Sequence, residues 1–203
     1  MRRVIVYIDG FNLYHAIKDL NKPHLKWVCL RAIAESMLRK DELLKAVKYF
    51  SAYATWMPDR FARHRDYTAA LMARGVILHM AQFKEKPRKC FSCGAKWKGH
   101  EEKETDVQIA VHMVADALGG EVDRIILISA DTDLGPAIKM IAANKPEVEV
   151  FVATPPGRFN FCRSLGPKLE IKPGRLEKCL LPKNVQISAS RNIARPAQYD
   201  PPA

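Results

Sequence analysis

No run of apolar residues in this chain approaches the roughly 18 needed to span a bilayer, so a spanning helix and a membrane partner are not expected. Acidic residues are in short supply, 22 Asp and Glu against 33 Lys and Arg in 203 residues, a formal net charge of +11. A surplus of that size points to a polyanionic partner, with nucleic acid ahead of an anionic membrane surface. Cysteine is sparse and odd in number: Cys29, Cys90, Cys93, Cys162 and Cys179. The N-terminal apolar stretch Val4-Ile5-Val6-Tyr7-Ile8 meets Asp9 too early for the apolar segment of a signal peptide. A cytoplasmic location is therefore expected. Structural disulfides are not, and only the close pair Cys90 and Cys93 invites a metal reading. The hydrophobic share of 48% is enough for a full core and excludes disorder of the whole chain.

Short β-rich runs alternate with longer helical patterns. Val4–Ile8, 49–54, 76–80, 125–128 and 148–153 read as strands, the first and fourth being continuous buried runs. Helices are expected over 30–39, 59–74, 103–118 and 134–143. Pro58 stands where a helix start tolerates proline, and Gly75 where a helix end favours glycine. The alternation predicts an α/β/α sandwich around a mostly parallel sheet. Two segments break it. Residues 84–100, rich in Lys, Cys and Gly, read as an inserted loop or small zinc knuckle. From Pro155 the periodicity fades, and residues 155–203 hold nine Lys and Arg against three Asp and Glu. The expected organisation is a domain over 1–154, a basic extension over 155–187 and a flexible tail over 188–203.

Ligands of open parallel sheets bind at the carboxyl ends of the strands. Acidic residues fall where that rule places a site. Asp9 follows the first strand, with Asn12 close by. Asp131 and Asp133 follow the 125–128 strand. Glu102 and Asp106, four apart, share a face if the 103–118 helix begins early enough. Each has a plain explanation: Asp9 as a turn or helix cap, Asp133 as a cap, Glu102 as a partner of a helix dipole. Together they imply more, because carboxylates gathered in a low-dielectric cleft repel and so hold divalent cations or share protons. An all-oxygen set favours Mg²⁺ or Mn²⁺. Such ions in a basic protein point to phosphoryl chemistry on nucleic acid, activating water and stabilising a leaving 3′-oxygen. A haloacid-dehalogenase-type phosphatase would want a second Asp where Phe11 stands, and a Toprim-like site would want Glu where Asp9 stands.

Three segments carry a resemblance. Val6-Tyr7-Ile8-Asp9-Gly10-Phe11-Asn12-Leu13 is similar to the opening motif of NYN domains, the PIN-like, LabA-like nucleases. Glu102-Lys103-Glu104-Thr105-Asp106-Val107 and Leu127-Ile128-Ser129-Ala130-Asp131-Thr132-Asp133-Leu134 resemble their central and third motifs, in the family's order. Ala130 departs from the usual glycine. The resemblance implies a PIN-like fold and a metal-dependent endoribonuclease that leaves 5′-phosphate and 3′-hydroxyl ends. Asp9, Asp106 and Asp131 would hold the ion, Glu102 and Asp133 would complete the pocket, and Asn12 would position a phosphate or water. Some PIN-like relatives are degenerate, so the alternative is a non-catalytic RNA-binding module. A homodimer is a further expectation from the resemblance.

Cys90-Phe91-Ser92-Cys93-Gly94 has the spacing of a zinc knuckle, with His100 as a third ligand and the fourth open. Single-stranded RNA is the expected partner, and Arg60, Arg63, Lys84, Lys86, Lys96, Lys98 and Arg158 are the candidate contacts, interleaved with rings such as Trp56 and Phe161.

Overall fold

A strand apolar on both faces, such as Val4–Ile8, is stable only when helices cover both sides of the sheet. The computed structural model, which describes residues 1–202, has that arrangement. β1 (Arg2–Asp9) leads into α1 (Gly10–Asp19) and α2 (Leu30–Glu35), then β2 (Glu42–Ala52) and α3 (Pro58–Ala73). β3 (Val76–Lys89) and β4 (Lys96–Lys103) precede α4 (Thr105–Leu118), β5 (Arg124–Ile128), α5 (Gly135–Asn144) and β6 (Glu149–Thr154). β7 (Leu169–Glu170), α6 (Pro173–Glu177), β8 (Asn184–Ser188) and β9 (Arg191–Ala194) complete the chain. Seven strands form one sheet in the order β4-β3-β2-β1-β5-β6-β7. Every pairing in it is parallel except β3 with β4.

The two faces of β1 seed two cores. Val4, Val6 and Ile8 pack with residues of α1, α2 and α3, including Leu13, Ile33 and Leu71. Ile5 and Tyr7 face the other way and join Ile109 and Met113 of α4 and Ile141 of α5. This is the expected three-layer α/β/α sandwich. Among the described residues no helix is long and apolar enough to cross a membrane.

Several expected boundaries move. Residues 84–100 are no loose insertion. They extend β3, turn at the cysteines and return as β4, with Lys89 opposite Lys96 and Phe83 opposite Glu102. The helix expected over 30–39 stops at Glu35, and a strand begins at Glu42 rather than Tyr49. The C-terminal quarter packs on the α1–α3 side. Ile171, Leu176, Leu181, Val185 and Ile193 are all buried there, the last on β9 within the segment expected to be a loose tail. The Trp27 indole N–H donates to the Pro182 carbonyl at 3.0 Å.

Candidate metal centre

Strand order reverses direction between β1 and β5: β2 and β3 lie to one side of β1, β6 and β7 beyond β5. The carboxyl ends of these two central strands therefore diverge into a crevice, the usual ligand site of an open α/β sheet. Asp9 ends β1 and Ser129 follows β5 at that edge. Gly10 is required beside them: a Cβ there would lie 2.6 Å from the Phe50 carbonyl oxygen and 2.7 Å from the Tyr49 ring.

Asp9, 3% exposed, is both a helix cap and a member of the acidic cluster. Its Oδ1 accepts the Asn12 backbone N–H at 2.9 Å, and its Oδ2 accepts the Ser129 hydroxyl at 2.8 Å. Ser129 Oγ in turn accepts the Asp131 N–H at 3.0 Å. The Asn12 side-chain oxygen accepts the Ala130 N–H at 3.2 Å, so Asn12 ties the two strand-end loops together. Ala130 adopts no positive φ, which explains how alanine stands where glycine was expected. Asp131 Oδ1 accepts the Asp133 N–H at 2.9 Å and so caps the short turn Thr132–Leu134.

Asp106 reaches the crevice from the first turn of α4. Glu102 precedes that helix at the end of β4. The chain turns the corner between them at Glu104, whose φ of +80° is in the left-handed region. Glu102 Oε1 accepts the Thr105 N–H at 2.9 Å and also the Thr105 hydroxyl. The two acids thus enter from a strand and a helix, not from one helical face.

Asp9, Asp106 and Asp131 each place a carboxylate oxygen within 4.8 Å of the others. Among the described residues no lysine or arginine forms an ion pair with any of the five acids, Glu102 and Asp133 included. Burial raises the Asp9 carboxyl to about 6, with Asp131 adding to the effect and the hydrogen bonds from Asn12 and Ser129 opposing it. Burial, and then the charges of Asp9, Asp131, Glu102 and Asp133, raise Asp106 to about 6. Three close carboxylates without a cationic partner suit a hard divalent ion. Asp133 is exposed and lies off the cleft wall, although its charge is felt at Asp106.

The cleft has a volume of about 590 Å³. Asp9, Asn12, Glu102, Asp106 and Asp131 line it together with Phe11, Phe83, Phe161, His15 and Arg158. Ser129, Phe11, Phe83 and His15 are not among the site candidates that the sequence offers. The first two lie inside the recognised motifs, whereas Phe83 and His15 are placed only by the tertiary fold.

The expected basic contacts separate. Arg158 is in the cleft, and Arg60 and Arg63 line a smaller hollow of about 310 Å³ at the start of α3. On the β3–β4 hairpin, alternation places Lys96 and Lys98 on the face of Phe83 and Lys84 and Lys86 on the opposite face. Lys98 pairs with Glu85 and Lys86 with Glu101. The zinc set also divides. Cys90 and Cys93 lie at the hairpin tip, whereas His100 is paired with Glu85, four residue pairs back from Lys89 and Lys96, roughly 13 Å along the strand. His100 instead stacks on Trp56 at 3.6 Å between ring centroids. Among the described residues no third His, Cys, Asp or Glu joins the two thiols.

The chain is similar to known proteins over most of its length. A monooxygenase of Pseudomonas putida (strain DSM 28022 / S16), 6-hydroxy-3-succinoylpyridine 3-monooxygenase HspA, is 27% identical over 188 residues. The match takes in 88% of this chain but only 59% of that protein's length. A crystal structure of a protein of unknown function, VPA0982 from Vibrio parahaemolyticus RIMD 2210633, shares the fold with a TM-score of 0.57 at 18% identity, over 89% of this chain and 96% of the other. The family model for the NYN domain matches residues 3–164, a span that contains all three motifs and every acid of the cleft. The chain belongs to the NYN domain family.

Proposed function

We propose that the protein is a divalent-metal-dependent endoribonuclease. The observation that carries this reading is the convergence of Asp9, Asp106 and Asp131 within 4.8 Å, with no lysine or arginine ion-paired to them among the described residues. These three residues would hold Mg²⁺ or Mn²⁺. When bound, such an ion supplies Lewis-acid stabilisation of phosphoryl oxygens and lowers the pKa of water. The chain's own groups orient the site. Ser129 and the Asn12 N–H fix both oxygens of Asp9, and Asn12 holds the two strand-end loops in register. Arg158, paired with Asp19, lines the same cleft and would offer its remaining N–H groups to phosphate. Attack of water in line with the departing 3′-oxygen leaves 5′-phosphate and 3′-hydroxyl ends.

The test is cleavage of RNA in Mn²⁺ by the wild type, Asp9→Asn and Asp131→Asn. Loss in both variants supports the assignment, and undiminished cleavage in both rejects it. Salt-sensitive RNA binding without cleavage by the wild type identifies a non-catalytic RNA-binding module instead. A second reading follows from the name of the Pseudomonas relative. Phe11, Phe83 and Phe161 offer ring contacts beside the acids that would suit a flat heteroaromatic compound. It predicts that 6-hydroxy-3-succinoylpyridine raises the melting temperature while RNA does not.

Zinc at the hairpin tip is proposed only as a half-site. The Ser92 side chain and then the Cys93 backbone N–H hold the Cys90 thiol down to about 6, favouring thiolate. The remaining ligands would come from outside the chain, a second copy being one source and the proposed basis of a homodimer. Cytoplasmic placement is likewise part of this proposal.

A further inference from the structure

The C-terminal layer meets the segment ahead of α2 in a short antiparallel join. Val28 faces Leu180 there in an isolated bridge. On either side the Cys29 N–H donates to the Cys179 carbonyl at 2.7 Å and the Leu181 N–H to the Trp27 carbonyl at 2.9 Å. This register sets Cys29, which heads α2, directly opposite Cys179, just beyond α6. Residues directly opposite carry their side chains on the same face of the ribbon. At a hydrogen-bonded position their Cα atoms lie about 5.5 Å apart, inside the roughly 4.4–6.8 Å that a disulfide spans. Both cysteines are free thiols, 3% and 7% exposed, and both belong to the core over α1, α2 and α3. Burial, and next the neighbouring Cys29, raise the Cys179 thiol. Cys162 is buried in the opposite core and Cys90 and Cys93 lie at the hairpin tip, so no other cysteine competes at this join.

From this juxtaposition we infer that Cys29 and Cys179 form a redox latch: a dithiol that a low-molecular-weight disulfide, such as oxidised glutathione, converts into a covalent bond holding the C-terminal layer against α2. One cysteine, as thiolate, attacks a glutathione sulfur, forming a mixed disulfide and releasing one glutathione thiolate. The other, losing its proton, attacks the protein sulfur of that mixed disulfide and releases the second. Two protein thiols are oxidised, one glutathione disulfide is reduced to two thiols, and the two protons pass to the departing thiolates. Burial decides the rate. The join must part before the oxidant can reach either sulfur, so closure reports how often the C-terminal layer lifts. Topology decides the effect. The loop closed by the bond contains β2 to β7, and long loops lose the most entropy in the unfolded chain. In a reducing compartment the pair stays open, which is where the backbone bonds alone hold the layer.

The experiment uses the full chain carrying Cys90→Ser and Cys93→Ser, which removes the other close pair. It is refolded from urea into glutathione buffers of graded composition, and a second portion is held in denaturing urea in the same buffers. Free thiols are trapped by alkylation, and linked peptides are identified by mass spectrometry. The expected product joins Cys29 to Cys179. The effective concentration of the two thiols should be roughly a hundredfold higher in the folded chain than in urea. The oxidised chain should melt about 5–10 °C above the reduced one, and dithiothreitol should abolish the difference. Adding Cys179→Ala should remove both the link and the shift. Urea below the unfolding transition should speed closure of the folded dithiol. Thiols joined no more readily in the folded chain than in urea, a persistent mixed disulfide at either cysteine, or an oxidised chain that melts no higher than the reduced one overturns the latch.

Discussion

Burial governs how Asp9 and Asp106 titrate, and the consequence for stability has a definite sign. Asp9 and Asp106 are raised to about 6 in the folded chain, chiefly by burial, against roughly 4 when unfolded. Between those values the native state binds more protons than the unfolded one, so metal-free stability falls as pH rises from about 4 to about 6 and levels off above. Asp9→Asn removes part of that decline. It should raise the metal-free melting temperature at pH 7.5, change it little at pH 4, and abolish the gain on adding Mn²⁺. Protons compete with the ion for the same oxygens, so the Mn²⁺-induced gain in the wild type should grow as pH rises through 6. Differential scanning fluorimetry across pH 4.5–8, with and without MnCl₂, measures both, and a pH-independent Mn²⁺ effect would contradict the assignment. Ser129 acts on the same carboxylate. Ser129→Ala leaves a buried oxygen without its donor, a cost of about 1–3 kcal/mol, and removes a bond that favours the charged form. The acid limb of the kcat/KM profile for RNA should therefore move to higher pH.

Element ends are sorted by charge pairing. At the amino ends of the strands Arg124 and Glu42, both buried, pair at 2.8 Å, and Arg39 reaches Glu149 at 2.7 Å. At the carboxyl ends the acids have no such partners among the described residues. Sheet polarity thus separates carboxylates that hold the fold from carboxylates free for a ligand. Glu42→Ala uncovers the Arg124 guanidinium and should cost about 3–5 kcal/mol in denaturant unfolding, with Mn²⁺ binding kept. Much of this was legible in the sequence. The buried runs 4–8 and 125–128 have one reading each, and Asp9 and Asp131 at their ends located the crevice. The hairpin was hidden because a two-stranded arm exposed on both faces needs no alternation, so Lys84 to Gly99 offered only composition. His100 looked like a zinc ligand by distance along the chain, but strand register carries it away from the thiols to Trp56. Glu42, Arg124 and Glu149 gave no signal, since an ion pair across 82 residues leaves no periodicity.

Across the whole molecule, the family match and the folded unit do not end at the same residue. The match stops at residue 164, yet the chain beyond it supplies Ile171, Leu176, Leu181, Val185 and Ile193 to the core that covers α1, α2 and α3. Cys29 and Leu181 bind across the join through backbone bonds, Cys29 N–H to the Cys179 carbonyl at 2.7 Å and Leu181 N–H to the Trp27 carbonyl at 2.9 Å. Trp27, fully buried, would be uncovered if this layer were removed. Burying one large aliphatic side chain is worth about 1.5–3 kcal/mol, and a whole domain holds only about 5–15 kcal/mol in net stability. The entropy regained by the released segment offsets part of the loss, but it does not cover the Trp27 face again. A chain ending at residue 164 keeps all the cleft acids and still should not fold cooperatively; it should aggregate, or melt more than roughly 10 °C lower. Ending the chain after residue 195 retains β9 and Ile193 and should leave the transition within a few degrees of the full chain. Circular dichroism melts of the two truncations decide this. If the 1–164 chain melts like the full protein, the C-terminal layer is an appendage and the sandwich stands without it.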